Sequence, residues 1–510
     1  MKQTSRGQES FLKRGLRSVR FASLLFSFGN LFFYPVAGAA QTPGTFTTTG
    51  NMTAARTFHT ETLLSNGKVL IAGGRNQQFG SQLMTAELYD PATGAFTATG
   101  NMTASRSGHT ATLLVNGKVL IAGGEGSPQN LASAELYDPA TGVFTATGNM
   151  TTTRAFHTAT RLSNGTVLIT AGQQAPGPNV LASAELYDPA TGNFTATGSL
   201  AITGPRNLHT ATMLSSGKVL ITGGFSIGGR LASAELYDPS SGIFSGAGNM
   251  TTDRSAHTAT RLPNGKVLIA GGLGGCCGSS ASAELYEAAT GTFTATGSMT
   301  TARAFHTATV LSNGKVLIAG GSSPFVELAS AELYDPSTGA FTATGSMTNA
   351  RSQHTATLLG NSQVLVAGGG GPIFGSTPIL ASAELYNPGC IATPTLSITL
   401  TPSVLWPPNH QLVPVTAIIQ VTDSCDPNPT VTLVSIISNE PDNGLGDGDT
   451  PNDIQGASVG SDDRSFLLRA ERPGKGPGRI YTVTYRVTDA FGNTATEGAE
   501  VRVPLNQRRP

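Results

Sequence analysis

The chain has 510 residues, equal numbers of acidic and basic side chains (31 each) and only 12% charged residues. A neutral chain without charge runs offers no basic field to nucleic acid and no acidic tail to a basic partner. Its length suits one large domain and a smaller one, and its 63 glycines recur at fixed positions, which marks turns and not disorder.

Residues 1–40 read as a secretory signal peptide. Lys2, Arg6, Lys13, Arg14, Arg17 and Arg20 lead into the apolar stretch 21–36, and Ala37-Gly38-Ala39 supplies the small-residue cleavage pattern. Asn30 and Pro35 interrupt that stretch, which is short for a membrane span; the alternative is an uncleaved anchor. The expectation is a secreted or cell-surface protein with no membrane span after cleavage.

Between residues 41 and 390 a cassette of about 50 residues repeats seven times. It runs Arg-x-x-His-Thr-Ala-Thr-Leu-Leu-x-Asn-Gly-Lys-Val-Leu-Ile-Ala-Gly-Gly, a variable stretch, then Ala-Glu-Leu-Tyr-Asp-Pro-Ala-Thr-Gly-x-Phe-Thr-Ala-Thr-Gly. In the second copy this predicts strands over 109–114, 118–122, 134–137 and 144–147. Asn116-Gly117 favours a tight type I′ hairpin between the first two strands. Asp-Pro-Ala-Thr-Gly turns the chain between the last two. Four antiparallel strands per cassette make one blade, and seven blades close into a ring. The chain enters with an isolated fourth strand, 45–49, and leaves the array after a third. The N-terminal strand therefore completes blade seven and removes an open edge.

The Gly-Gly pairs (Gly123-Gly124 and their counterparts) and the later Tyr-Asp-Pro followed by an aromatic (Phe144) resemble the Kelch repeat. The third copy departs with Ala171-Gly172, and phenylalanine stands where the family usually has tryptophan. The resemblance implies a β-propeller and no particular activity.

Each cassette carries an Arg, a His and a Glu, as Arg106, His109 and Glu135. A side chain required in every blade serves the blade, since a site on a ring needs asymmetry. Copper enzymes of the galactose-oxidase type, built on a Kelch-like propeller, hold the metal with two tyrosines and two histidines. Here every propeller tyrosine and histidine belongs to the cassette, so the copper-site residues are missing. Asymmetry is confined to the face carrying the variable loops and the pair between Arg and His. The candidate binding residues there are Phe58, Phe156, Leu208, Phe305, Gln353, Arg75, Phe79, Phe225, Phe325 and Phe374. Aromatics at a central mouth suit stacking on a sugar or a peptide side chain; the plainer alternative is packing under neighbouring loops.

Residues 395–504 alternate apolar and polar side chains in five runs, which suggests an antiparallel β-sandwich. Segments 405–410 and 487–493 resemble immunoglobulin-like, hyalin-repeat-like modules of exported bacterial proteins. Within 442–453, Asp442, Asp447, Asp449 and Asp453 stand among glycines as calcium prefers, though not at EF-hand spacing; the alternative is a solvated acidic turn. Cys276, Cys277, Cys390 and Cys425 allow three pairings.

The fold expected is all-β: a seven-bladed Kelch-type propeller followed by an immunoglobulin-like β-sandwich. The function expected is non-catalytic binding of an extracellular glycan or protein ligand by a monomer, with no cofactor beyond that calcium. The alternatives are a carbohydrate-active or oxidative enzyme and a purely structural surface protein.

Overall fold

The computed structural model describes residues 44–504 apart from 77–80, 175–178, 203, 276–277, 325, 371–377, 390–392, 424–425, 427, 442–450, 472–477 and 490–492. Every regular element among the described residues is a strand, and no helix there is long and apolar enough to cross a membrane. In the second cassette the strands are Thr110–Leu113, Val119–Ala122, Ala134–Asp138 and Val143–Ala146, paired in that order. Six cassettes form such a sheet alone. In the seventh, Thr45–Thr48 pairs antiparallel with Ala383–Asn387, Phe46 opposite Tyr386, and takes the outermost place.

The burial pattern follows from each strand's place. The second strand, Val-Leu-Ile-Ala in the second copy, is buried along its whole length. Both faces of each sheet meet other sheets, so a continuous apolar run is favoured there over alternation. Outermost strands alternate, as exposed Val143 beside buried Phe144 shows. First strands neighbour one another in a closed cycle, Thr60–Leu63 lying beside both Thr110–Leu113 and Thr355–Leu358. Each inter-sheet core draws on two sheets. Leu64, Leu70 and Met102 meet Val119, Ile121 and Tyr137, while Val69, Ile71 and Tyr89 meet Leu359, Leu365 and Ala367.

The Asn-Gly hairpins differ from the type I′ expectation. Gly117 holds φ +81° but Asn116 does not enter the left-handed region. The Gly117 amide donates to Leu114 (3.1 Å) and the Leu114 amide to Lys118 (2.8 Å). This is a three-residue loop in which glycine forms a bulge after a right-handed turn. The Asn116 side chain instead accepts from the Lys118 amide at 3.1 Å, a local bond that holds asparagine right-handed.

Ala171 shows how a departure from the pattern is absorbed. It holds φ +59°, where the other copies have glycine. A Cβ on the equivalent Gly123 would press on the Met150 methyl at 2.9 Å. Opposite Ala171 the cassette methionine is replaced by Leu200, and the two share one core.

Residues 395–503 form a four-stranded sheet (Thr395–Thr401, Leu412–Thr422, Ser465–Arg469, Ile454–Gln455) and a three-stranded one (Thr430–Ser438, Arg479–Thr488, Thr494–Val503). Leu400, Val415 and Leu468 of the first share a core with Leu433, Tyr481 and Val501 of the second.

Candidate functional site

The cassette's polar side chains are consumed by the scaffold. Arg106 donates to Glu135 at 2.5 Å and to the Gly123 and Ser133 carbonyls at 2.7 and 3.1 Å. Glu135 also accepts from the Thr103 amide at 2.6 Å. The same Arg–Glu pair recurs in all seven sheets, sealed from solvent, and is loosest at Arg206–Glu235, 3.5 Å, beside the Ala171 departure. Each histidine reaches the neighbouring sheet, as His109 Nε2 does to Thr60 Oγ1 at 3.0 Å and His59 to Thr355 at 2.9 Å. Burial, with Arg56 and Arg351 nearby, holds His59 down at about 3, so the imidazole is neutral. Six of the seven tyrosines bond a threonine of the adjacent sheet, Tyr137 meeting Thr99 at 3.0 Å. The Arg–Glu pairs brace each cassette from within, while the histidines and tyrosines stitch neighbouring sheets together.

What does gather at the axis is the residue before each histidine: Phe58, Gly108, Phe156, Leu208, Ala256, Phe305 and Gln353. All seven hold φ between +51° and +58°. Backbone bonds of 2.9–3.0 Å join Phe58 to Gly108, Gly108 to Phe156, Leu208 to Ala256, Ala256 to Phe305 and Phe305 to Gln353. A left-handed non-glycine residue costs about 1–3 kcal/mol. Glycine would avoid that cost, yet only Gly108 uses it, and it does so where a Cβ would stand 2.8 Å from the Phe156 ring. Phe58 and Phe156 meet edge to face across it, centroids 5.4 Å apart. The half-buried ring side chains are thus displayed where backbone economy would omit them.

A second ring surrounds the first. Thr57, Ser107, Ala155, Asn207, Ser255, Ala304 and Ser352 bridge to Arg75, Glu125, Gln173, Phe225, Leu273, Ser322 and Gly370. Its chemistry changes around the circle. Arg75 lies over the Phe58 ring at 4.5 Å and 3.8 Å from Glu125, which accepts from Ser107 at 3.1 Å. Gln173 accepts from Asn207 at 2.5 Å and from Asn130 at 2.8 Å. Beyond it come half-exposed Phe225 and apolar Leu273. Thr57 donates to Gln353 at 3.2 Å.

The structure therefore brings Phe58, Phe156, Leu208, Phe305, Gln353, Arg75 and Phe225 to one mouth. Phe79, Phe325, Phe374, the four cysteines, Asp442, Asp447 and Asp449 lie outside the described residues. Asp453 is buried with its carboxylate on Arg479 and Arg469, so its charge is already matched. Glu125, Gln173 and Asn207 join the mouth, from the variable loops and the Arg–His pair expected on this face though not among the named candidates. They stand as the first residue after Gly123-Gly124, the first after Ala171-Gly172, and a member of the Arg–His pair. Missed in the sequence was Glu61, an acid where the other copies carry Ala111, Ala159, Ala211, Ala259, Ala308 and Ala356.

Among the described residues, grooves of about 330–400 Å³ lie on the opposite face between adjacent hairpins, as where Asn116 and Lys118 face Asp138 and Pro139. Their linings repeat with the cassette apart from Thr494 of the C-terminal region, which borders one of them, and Lys118–Asp138 at 3.1 Å already satisfies its own charges. The mouth, with its strain and asymmetry, is the better candidate.

A family model for the Kelch motif matches residues 106–151. No curated protein matches the chain. Among solved structures, one described as a novel fungal alcohol oxidase with catalytic diversity among the AA5 family, in complex with copper, superposes with a TM-score of 0.56 at 17% identity. The match covers 91% of this chain and 100% of that one. At that identity the likeness speaks for the fold, and the repeat array is a Kelch-type propeller.

Proposed function

We propose that this is an exported binding protein: a seven-bladed Kelch-type propeller that takes a carbohydrate or protein ligand at its loop mouth, followed by an immunoglobulin-like spacer domain. The observation that carries the reading is the left-handed ring, where Phe58, Phe156, Leu208, Phe305 and Gln353 keep strained side chains at the axis. Aromatic faces beside Arg75, Glu125, Gln173 and Asn207 offer stacking and directional hydrogen bonds together, the combination a sugar or a peptide needs. Calcium in the 442–449 loop belongs to the same proposal, with Asp453 left to its arginines. The test is a glycan and peptide array probed with the chain from residue 41 onward, beside a Phe58→Ala, Phe156→Ala, Phe305→Ala triple variant. The triple variant is expected to bind at least tenfold more weakly, about 1.4 kcal/mol, the scale of one stacking contact and its buried area. Equal binding by both proteins would remove the mouth from the site.

A second reading, oxidative chemistry, is favoured only by the copper enzyme that shares the fold. The residues present do not fit copper: the histidines are spent on threonines of adjacent sheets, as are six of the seven tyrosines. Among the described residues no three His, Cys, Asp or Glu converge.

A further inference from the structure

Glu61 stands in the seam where the ring closes. It lies on the first strand of the first sheet, facing the last sheet, across from Thr355 and Thr357. At the other six seams this position is an alanine, and Ala111 and Ala159 are seen packing on their inter-sheet cores. Both Glu61 oxygens are sealed from solvent, and neither closes a hydrogen bond of good geometry. The polar groups that act on them are the Thr355 and Thr357 hydroxyls, and Thr355 also meets His59 Nε2 at 2.9 Å.

The charged and titratable groups around the seam are otherwise engaged. On its own sheet Glu87 is held by Arg56 at 2.5 Å, and Tyr89 bonds Thr49 at 3.1 Å. From the last sheet Arg351 is paired with Glu384 at 2.8 Å and His354, held well below its ordinary value by burial, bonds Thr307 at 3.0 Å; His59 of the first sheet is likewise neutral. An ionised Glu61 would therefore be a buried charge without a counter-charge, which is costly.

We propose that Glu61 is a proton-binding site of the closure seam: its protonated carboxyl lets the first and last sheets pack, and its ionisation loosens the ring. Protonated, it donates towards a seam threonine, whose hydroxyl can pass a hydrogen bond on to His59. Burial raises Glu61 from its ordinary 4.5 to about 8, the threonines opposing in part. Between those values the folded chain binds a proton that the unfolded chain has lost. Stability therefore falls as pH rises from 4.5 to 8 and levels off above. The buried histidines act in the opposite sense below their ordinary 6.5, and they are common to wild type and variants.

The test is thermal unfolding of the full chain from pH 4.5 to 9 for wild type, Glu61→Ala and Glu61→Gln. Glu61→Ala restores what the six other seams contain, so it is expected to fold. Wild type should lose on the order of 5 °C more than Glu61→Ala between pH 5 and 8, and should melt lower at pH 8. Parallel curves would overturn the proposal. So would sodium, potassium or calcium chloride raising the wild-type melt and not that of Glu61→Ala, since Glu61 would then be a cation ligand. An infrared difference spectrum at pH 7, wild type minus Glu61→Ala, should contain a protonated-carboxyl band; a carboxylate band alone would sink the idea.

Discussion

The two ends of the repeat array are made by the same seven cassettes and come out as opposites. At the hairpin end, Asn-Gly loops and Asp-Pro turns close mostly on their own backbone, the turn glycine's carbonyl alone accepting from the preceding cassette, as Gly142 does from the Gly100 amide at 3.0 Å. Gly142 donates to the Asp138 carbonyl at 2.8 Å, and the Asp138 side chain accepts from Ala140 at 3.0 Å. Nothing there requires the next blade to differ, and the copies agree. At the mouth, each backbone segment is held instead by its neighbours, through bonds from ring residue to ring residue and from ring to loop base. The side chains are then free to vary without dismantling the frame. A rigid backbone ring with unconstrained side chains is how a symmetric scaffold acquires an asymmetric site.

That contrast breaks first at ring closure. Removing residues 41–50 strips the outermost strand from the last sheet and takes Phe46 from Tyr386, 4.9 Å away. The expected result is a melting temperature lower by several degrees, or aggregation through the bared Ala383–Asn387 edge, read by calorimetry and light scattering. An unchanged melt would mean that the frame does not depend on closure.

Next comes the buried ion pair. Glu185→Ala leaves Arg154 sealed from solvent without its carboxylate and should cost about 3–5 kcal/mol in denaturant unfolding. A loss below 1 kcal/mol would show that water reaches the pair.

The smallest effect sharpens the contrast most. Phe305→Gly relieves a left-handed phenylalanine at φ +53°, against the extra chain entropy that glycine brings. Stability should stay within about 1 kcal/mol of wild type while ligand binding weakens. A large stability loss would make Phe305 part of the frame and not of the site.

Much of this molecule was legible in its sequence because the cassette repeats. The Val-Leu-Ile-Ala run, the glycines at fixed places and the chain's offset start each point to a physical requirement: burial on both faces, φ above zero, a paired edge. Phe58, Phe156, Leu208, Phe305 and Gln353 were readable as variable positions between Arg and His. Their left-handed backbone was not, because it is imposed by bonds to residues about 50 positions away. The hairpin type was misjudged for a related reason: Asn-Gly permits two left-handed residues, and the Asn116 bond to Lys118 leaves only one.

The sequence by itself therefore determined the strands, their order and which residues repeat, since these rest on local propensity and periodicity. Only the tertiary structure decided which partners the repeated polar groups take and what one departure means. Arg and Glu find each other within one cassette, His takes its threonine across a sheet interface, and Glu61 becomes consequential only because closure seals it against the last sheet.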